Sequence, residues 1–316
     1  MTMPLVETKN LKKYFKTGAG MLHAVEDVNL KIMPGKTLGV VGESGCGKST
    51  LGRTILRLQP ATAGEVLYNG ENILKYKGKD MQKIHLNMQM VFQDPYSSLD
   101  PRMSVHNLIA EPVQVCGLLK TKAEINEHVR EIMDMCGLPA DQANLYPHEL
   151  DGGLRQRVGL ARAMAVSPKF IVCDEPVSAL DVSIQAQILN LLMDLQEQRE
   201  LSYMFITHDL CVVKHISDEI MVMYMGQVVE HAKTAELFAN PVHPYTKALL
   251  HAVPTIDLSK RNREGFMLRG EVTSPINPAP GCRFAPRCPY ATDKCKENVC
   301  LKEVSPDHFV ACSLCD

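Results

Sequence analysis

A glycine-rich loop at residues 42–50 constrains the fold of this chain more than any other stretch. It fits the pattern G-x-x-x-x-G-K-[ST] and follows an apolar run at residues 37–41. A buried strand, such a loop and a helix form a phosphate-binding unit, because inward-turned backbone N–H groups and the helix N-terminus attract phosphate oxygens. The pattern therefore predicts a nucleoside triphosphate-binding α/β protein rather than an ordinary glycine-rich turn. The residues of this phosphate loop are Gly42, Glu43, Ser44, Gly45, Cys46, Gly47, Lys48, Ser49 and Thr50.

Two side chains of the phosphate loop have a predicted chemical role. Lys48 is expected to reach the terminal phosphates, and the Ser49 hydroxyl is expected to bind Mg²⁺. The helix that follows the loop is expected to end before Pro60, because proline cannot continue a helix.

Composition limits the kind of protein that carries this loop. The 316 residues, 45% of them hydrophobic, suffice for one large domain and an accessory one. Because 34 Lys and Arg balance 36 Asp and Glu, nothing in the composition indicates the basic surface of a nucleic-acid-binding protein. No apolar run approaches the length of a membrane span, and residues 1–13 lack the apolar core of a signal peptide. We therefore expect a cytoplasmic chain that meets a membrane only through a partner.

Two carboxylates end a second apolar run, at residues 169–173. The carboxyl ends of parallel strands meet at the ligand-binding edge of an α/β sheet, which predicts that Asp174 and Glu175 lie beside the phosphate loop. Asp174 is then suited to Mg²⁺, and Glu175 to polarising a water for in-line attack on the γ-phosphate. The alternative is a solvated strand end.

Two more polar residues end predicted strands. The strand at residues 88–93 ends at Gln93, whose amide is predicted to hold Mg²⁺ or the attacking water. The strand at residues 203–207 ends at His208, which is predicted to contact the γ-phosphate, the alternative being a structural histidine.

An aromatic residue lies between two short predicted strands, at residues 5–9 and 24–32. Phe15 is predicted to stack on an adenine ring. The alternatives are that Tyr14 takes this role, or that the aromatic ring belongs to the core.

Helical periodicity divides the chain into regions. Apolar residues at positions 125, 129, 132, 133 and 136 form one face of a helix. We predict an α/β nucleotide-binding core at residues 1–97 and 169–233, with a helical subdomain at residues 98–168 inserted into it. Residues 234–316 are predicted to form a C-terminal accessory domain rich in cysteine.

Six of the eleven cysteines crowd this C-terminal region. Four thiolates suffice for a [4Fe–4S] cluster or a tetrahedral Zn²⁺ site, and plain reduced thiols are the third possibility. The four cysteines considered as ligands are Cys282, Cys288, Cys295 and Cys312, which leaves Cys300 and Cys315 outside the set.

Taken together, these motifs resemble the ATP-binding cassette (ABC) transporter ATPases in order and spacing, over essentially the whole chain. The motifs are the phosphate loop, Gln93, residues 150–157, Asp174 with Glu175, residues 178–181 and His208. Longer strings at residues 91–102, 240–250 and 281–289 are similar to the oligopeptide, dipeptide and nickel importer group.

The resemblance implies an α/β P-loop ATPase in which two subunits close head-to-tail over two ATP molecules. It assigns Phe15 to adenine, the phosphate loop to phosphates, Gln93 to sensing, Asp174 to Mg²⁺, Glu175 to catalysis, Asp181 to a contact across the dimer and His208 to the γ-phosphate. The signature segment of one subunit, here Leu150, Asp151, Gly152, Gly153 and Leu154, would complete the ATP site of the other.

The resemblance also implies partners and a cofactor. The implied partners are a second ATPase subunit, two transmembrane permease subunits that contact the inserted helices, and an external substrate-binding protein. The chain would then lie at the cytoplasmic face of the membrane, and the four-cysteine set would hold an iron–sulfur cluster. Whether the substrate is a dipeptide, an oligopeptide or nickel stays open.

The signature segment departs from the family pattern Leu-Ser-Gly-Gly-Gln at Asp151 and Leu154. Asp151 is predicted to remain a good helix N-cap. However, it places a carboxylate where the γ-phosphate bound to the partner would dock, at a cost of up to about 4 kcal/mol for two charges 4 Å apart at an effective dielectric of 20. Leu154 also removes an amide. The departure predicts a heterodimer with one impaired ATP site.

Two other functions remain open from the sequence. One is a soluble ABC protein of translation or repair, against which stand the single cassette and the importer-like C-terminal strings. The other is a regulatory subunit that binds ATP without turnover, against which stand Glu175 and His208.

Overall fold

The structure is a computed structural model that describes residues 3–253, 274–297 and 299–315. Residues 254–273, 298 and 316 of the predicted C-terminal domain lie outside the described residues. The chain divides into two compact units: Met1–Leu74 with Phe205–Asp316, and Lys75–Met204. We refer to these as the first and the second unit.

Helices and strands alternate along much of the chain, as the sequence predicts. In chain order they are β1 (Val6–Thr17), β2 (Gly20–Ile32), β3 (Thr37–Val41), α1 (Lys48–Ile55), β4 (Ala63–Tyr68), β5 (Glu71–Asn72), α2 (Gly78–Asn87), β6 (Met88–Val91), α3 (Pro95–Ser98), α4 (Val105–Val115), α5 (Lys122–Met135), α6 (Gly152–Met164), β7 (Phe170–Asp174), α7 (Val182–Arg199), β8 (Ser202–Ile206), α8 (Leu210–Ile216), β9 (Glu219–Tyr224), β10 (Gln227–Lys233), α9 (Thr234–Ala239), α10 (Pro244–Ala252), β11 (Lys302–Ser305) and β12 (His308–Val310).

The first unit contains an antiparallel sheet of four strands in the order β2-β1-β4-β5. Its two long strands, β1 and β2, extend well beyond the predicted segments at residues 5–9 and 24–32. Phe15 therefore lies within β1, not between two strands, because the pairing of β1 with β2 continues as far as Thr17 and Gly20.

A second sheet of the first unit has the strand order β11-β12-β10-β9-β3. It is mixed, because β3 runs parallel to β9 whereas β9, β10, β12 and β11 pair antiparallel. Strand β3 is buried along its whole length, which explains its continuous apolar run. The strand that leads into the phosphate loop is thus a buried one.

In the core of the first unit, side chains of this mixed sheet pack against side chains from the C-terminal region. One cluster of buried residues contains Tyr224 of β9, Tyr245 of α10 and Phe284 of the cysteine-rich segment at residues 282–295. Their rings pack at centroid distances of 4.7 to 5.4 Å, tilted or edge-on. The cysteine-rich segment is therefore packed into the first unit by an aromatic core.

The second unit combines helices with the parallel strands β6 and β7. Helix α5 begins at a capping box formed by Thr121 and Glu124, and it buries the predicted face of Ile125, Val129, Ile132 and Met133. The predicted helix is confirmed. Strand β7 is buried throughout and carries Asp174 as its last residue. None of the helices in the three described stretches is long and apolar enough to cross a lipid bilayer.

Candidate functional site

The phosphate loop connects β3 to α1 in the first unit and depends on glycine at two close approaches. Gly42 has φ +153°, and a Cβ there would lie 2.2 Å from the carbonyl oxygen of Met223. Gly47 has φ +105°, and a Cβ there would lie 2.0 Å from the carbonyl oxygen of Ala24. Both contacts are with backbone, so a side chain cannot be accommodated by rotation of a neighbour. The loop is fixed in shape by its surroundings.

Lys48 is held inside this loop. Its Nζ donates hydrogen bonds to the carbonyl oxygens of Gly42 at 2.8 Å and Glu43 at 3.0 Å, and the residue is buried. The Cys46 Sγ lies 3.8 Å from the Lys48 Nζ, and burial raises the pKa of the Cys46 thiol, which therefore serves as a small neutral side chain. Ser44 and Gly45 at the tip of the loop are exposed. The arrangement places the lysine Nζ inside a loop whose tip is open to solvent.

Glu175 in the second unit has an unusual backbone conformation. It follows the fully buried Asp174, and its φ is 47°, in the left-handed region that non-glycine residues rarely adopt. Such backbone strain is often found at functional sites. The Gln93 Nε2 donates a hydrogen bond to the Glu175 Oε2 at 3.0 Å. The structure thus brings together the two residues that the sequence assigns to the attacking water.

The strands beside Gln93 and His208 end earlier than predicted. Strand β6 ends at Val91, so that Gln93 lies two residues beyond it and is exposed. Strand β8 ends at Ile206, and His208 likewise lies exposed two residues beyond it. In the first unit, the Thr207 N–H donates to the carbonyl oxygen of Val40 in β3 at 3.1 Å. Exposed polar residues at strand exits are accessible to a ligand.

Comparison with known proteins identifies the family. The profile described as "ABC transporter" matches residues 25–178, and that of the "Oligopeptide/dipeptide transporter, C-terminal region" matches residues 229–295. The chain is 48% identical to the oligopeptide transport ATP-binding protein AppF of Bacillus subtilis (strain 168), over 98% of this chain and 97% of that protein. The protein is an ABC transporter ATPase. It belongs to the oligopeptide/dipeptide transporter group, as the motifs predict.

Other relatives agree with this assignment. The oligopeptide transport ATP-binding protein OppF of Bacillus subtilis (strain 168) is 49% identical over 99% of this chain and 97% of that protein. Among solved structures, a dimeric post-hydrolysis state of the ATP-binding cassette MJ0796 bound to ADP and Pi matches with a TM-score of 0.67 and 30% identity. That match covers 72% of this chain and 98% of the other. The predicted α/β fold of the ABC ATPases is confirmed, and the family couples ATP hydrolysis to transport.

Tyr14 and Phe15, the two candidates for adenine stacking, have different environments. The Tyr14 hydroxyl donates to the Glu26 carboxylate at 2.5 Å, and its ring stacks on His23 at a centroid distance of 4.0 Å. Burial and the hydrogen bond to Glu26 raise the pKa of Tyr14 to about 12. Phe15 is half-buried, with the Lys13 Nζ 4.5 Å from its ring centroid. Tyr14 is therefore engaged within the sheet, which favours Phe15 for stacking.

The signature segment of the ABC ATPase begins helix α6. The Asp151 Oδ1 accepts a hydrogen bond from the Leu154 N–H at 2.8 Å, so the predicted N-cap is confirmed. The side chain of Asp151 is exposed. A Cβ on Gly153 would lie 2.6 Å from the Ile184 Cγ2 of α7, so this glycine allows the two helices to approach. Asp181, at the N-cap position of α7, is exposed and makes no capping hydrogen bond.

The four predicted cluster cysteines lie in the first unit but do not form a ready ligand set. The Cys282 N–H donates to the Cys295 carbonyl oxygen at 2.8 Å, and the Cys295 Sγ contacts the Ser313 Oγ at 3.3 Å. Burial, reinforced by Cys295 and Cys312, raises the pKa of Cys282 to about 11. Within the described ranges, no group of three or more His, Cys, Asp or Glu residues is arranged to hold a metal ion. The predicted [4Fe–4S] cluster and the cysteine-rich accessory domain built around it are not confirmed.

Two residues to which the sequence gives no role contact the phosphate loop. The Tyr245 hydroxyl accepts a hydrogen bond from the Glu43 N–H at 2.9 Å, and the Arg287 Nη1 lies 2.8 Å from the Glu43 Oε2. Both residues fall in the strings at 240–250 and 281–289 that mark the importer group. These strings indicated that the two regions matter, but they did not indicate that Tyr245 and Arg287 contact Glu43.

Proposed function

We propose that this ABC ATPase drives an importer of di- or oligopeptides. The observation that carries the proposal is its 48% identity, over nearly the full length of both chains, to a protein named for oligopeptide transport. The match of residues 229–295 to the oligopeptide/dipeptide transporter C-terminal region points the same way. Nickel import is the alternative, since the substrate would be selected by the permease and an external binding protein.

We propose the following roles for the site residues. Lys48 and the N–H groups of the phosphate loop bind the phosphates of ATP, and Phe15 stacks on the adenine. Glu175 accepts a proton from the attacking water, and His208 contacts the γ-phosphate. Gln93 holds the water and orients the Glu175 carboxylate through its hydrogen bond. Residues with hard oxygen donors suit Mg²⁺, which would neutralise charge on the phosphates; these residues are Ser49, Gln93 and Asp174.

We propose that the protein works in a heterodimer with a second ATPase subunit. The support is the exposed Asp151 at the start of α6, whose carboxylate would face the γ-phosphate bound to the partner. Such a repulsion would impair one of two ATP sites, and a homodimer would carry the defect twice. Asp181 would make a contact across the same dimer. The dimeric form of the ABC cassette MJ0796 is a precedent for paired subunits.

The remaining partners follow from the proposed importer. Two transmembrane permease subunits would contact the helical subdomain at residues 98–168, and an external binding protein would deliver substrate to them. The ATPase would then associate with the cytoplasmic face of the membrane, with nucleotide-binding regions at residues 1–97 and 169–233 and an accessory domain at residues 234–316.

ATP hydrolysis by the subunit alone and by the assembled transporter tests the heterodimer. We expect hydrolysis to appear only when the partner ATPase and the permease are present, and to rise when peptide-loaded binding protein is added. Peptide and nickel, supplied in parallel, distinguish the two importer types. Robust hydrolysis by the isolated chain would contradict an impaired composite site.

Asp151→Ser tests the proposed asymmetry directly. We expect this substitution to raise ATP turnover of the assembled transporter towards that of two working sites, because it removes the carboxylate while serine keeps the N-cap. Asp194→Ser on α7 is the matched control, since Asp194 is also exposed in the second unit. Unchanged turnover in Asp151→Ser would refute the asymmetry.

We keep the [4Fe–4S] cluster on Cys282, Cys288, Cys295 and Cys312 as a proposal, supported by the four-cysteine pattern. Protein purified without oxygen is expected to contain about four irons per chain and to absorb visible light. Cys288→Ser is expected to lower the iron content, whereas Cys300→Ser, which removes a cysteine outside the set, is expected to leave it unchanged. A colourless, iron-free preparation would refute the cluster.

A further inference from the structure

Glu43, the second residue of the phosphate loop, is held at three points. Its N–H donates to the Tyr245 hydroxyl at 2.9 Å, and its carbonyl oxygen accepts from the Lys48 Nζ at 3.0 Å. Its carboxylate oxygens accept from the Arg287 Nη1 at 3.1 and 2.8 Å. The contacts of the carbonyl oxygen, which also accepts from the Cys46 N–H at 3.2 Å, are internal to the loop. The other two come from residues more than 200 positions later in the chain.

The two distant partners of Glu43 are firmly anchored. Tyr245 belongs to α10 and is fully buried against Tyr224 and Phe284. Arg287 ends a short 3-10 turn at Ala285–Arg287, is 7% exposed, and also donates to the Tyr224 hydroxyl at 3.4 Å. Phe284 precedes this turn as its N-cap residue and is 1% exposed. One aromatic cluster therefore fixes both the hydroxyl and the guanidinium that hold the loop.

The charge of Glu43 explains why an arginine is needed here. A carboxylate in a loop that binds phosphates repels the ligand unless a cation neutralises it. The Arg287 guanidinium pairs with this carboxylate. Their hydrogen bond raises the pKa of Arg287. Removing one partner of such a shielded pair is costly, because the other charge is left unpaired. A polyphosphate bound to the loop would therefore meet a carboxylate that is already paired with a guanidinium.

We propose that Arg287 and Tyr245 are positioning residues of the phosphate loop, through which the C-terminal region of this chain sets its affinity for MgATP. Neither residue needs to touch ATP. Tyr245 fixes the peptide that follows Gly42, and Arg287 neutralises and orients the Glu43 side chain. The inference rests on the proposed nucleotide site, and it gives a role to the two C-terminal strings that the ATPase motifs do not explain.

The inference is tested by measuring the affinity of the full-length protein for MgATP by isothermal titration calorimetry. We expect Arg287→Met to weaken MgATP binding about tenfold, because an unpaired carboxylate then remains in the loop. Adding Glu43→Gln to Arg287→Met is expected to recover most of that loss, since the unpaired charge is removed. A role of Arg287 in stability alone would leave the MgATP affinity of folded Arg287→Met at the wild-type value.

Tyr245→Phe provides a second variant that keeps the buried ring and so preserves the fold. It removes only the hydroxyl that accepts from the Glu43 N–H, and we expect MgATP binding to weaken about threefold. This measurement decides the proposal even if Arg287→Met yields no folded protein.

Arg283→Met is the matched control for the loss of a buried guanidinium. Arg283 lies in the same segment, its side chain is 6% exposed, and its Nη2 pairs with Glu26 at 3.1 Å and not with the phosphate loop. We expect a lower melting temperature and an MgATP affinity within about twofold of wild type.

The outcomes separate this inference from the proposed function. Wild-type MgATP affinity in Arg287→Met and Tyr245→Phe, or equal losses in Arg287→Met and Arg283→Met, would overturn the inference alone. A wild-type protein that does not bind MgATP would overturn the proposed nucleotide site, and the inference with it.

Discussion

Glu175→Gln in the assembled transporter is expected to lower ATP turnover by about a hundredfold or more, while leaving MgATP affinity nearly unchanged. The amide keeps the size of the carboxylate and can still accept from the Gln93 Nε2, which lies 3.0 Å from Glu175 in the structure. What it loses is the ability to take a proton from water. The expected loss is therefore in the chemical step and not in binding.

Phosphate release in a single turnover, measured beside nucleotide binding, checks this expectation. Glu200→Gln is the matched control, because Glu200 has the same left-handed backbone, with φ 53° against 47° for Glu175, and lies in the same unit at the C-terminus of α7. Its turnover should equal that of wild type. Unchanged phosphate release in Glu175→Gln would show that another group accepts the proton.

Gly47→Ala is expected to abolish measurable MgATP binding and to lower the free energy of unfolding by about 3 kcal/mol or more. The added Cβ would lie 2.0 Å from the Ala24 carbonyl oxygen, and the φ of +105° is strained for alanine. Backbone at Ala24 cannot rotate away as a side chain would. Either the loop or β2 must therefore shift, and the phosphate-binding N–H groups shift with it.

Gly45→Ala distinguishes the steric clash with Ala24 from the cost of a left-handed backbone conformation. Gly45 also has a left-handed φ, of +77°, but no heavy atom lies within 4 Å of an added Cβ. Only the strain remains, and we expect a loss of about 1 kcal/mol in the free energy of unfolding. Denaturant unfolding of both variants makes the comparison, and equal losses would show that the contact with Ala24 relaxes freely.

The sequence predicts the parts of this site that depend on local pattern. The phosphate loop, the buried strand before Asp174 and the N-cap at Asp151 each follow from residues within a few positions of one another. The exact strand ends at Gln93 and His208 are less predictable, because the last hydrogen bonds of a strand depend on its neighbours. Errors of two residues at strand ends are of this kind.

The contacts of Glu43 with Tyr245 and Arg287 could not be predicted from local sequence patterns either, but for a different reason. Nothing near Glu43 in the sequence indicates that Arg287 neutralises it, because the two meet only through the packing of Phe284 and Tyr224. The cysteines illustrate the same limit. Their spacing predicts a ligand set, yet the orientation of each thiol, such as that of Cys295 towards Ser313, depends on the folded segment.

The division of the first unit between Met1–Leu74 and Phe205–Asp316 has a consequence for synthesis of the chain. The phosphate loop leaves the ribosome more than 200 residues before Tyr245 and Arg287, so Glu43 stays without its distant partners for most of translation. Domains usually fold from the N-terminus as they emerge, and contacts this remote in sequence form slowly. A cassette shortened before Phe284 would lack Arg287 and would therefore bind MgATP more weakly than the full chain. In this respect it would resemble a nascent chain in which the contact between Arg287 and Glu43 has not yet formed.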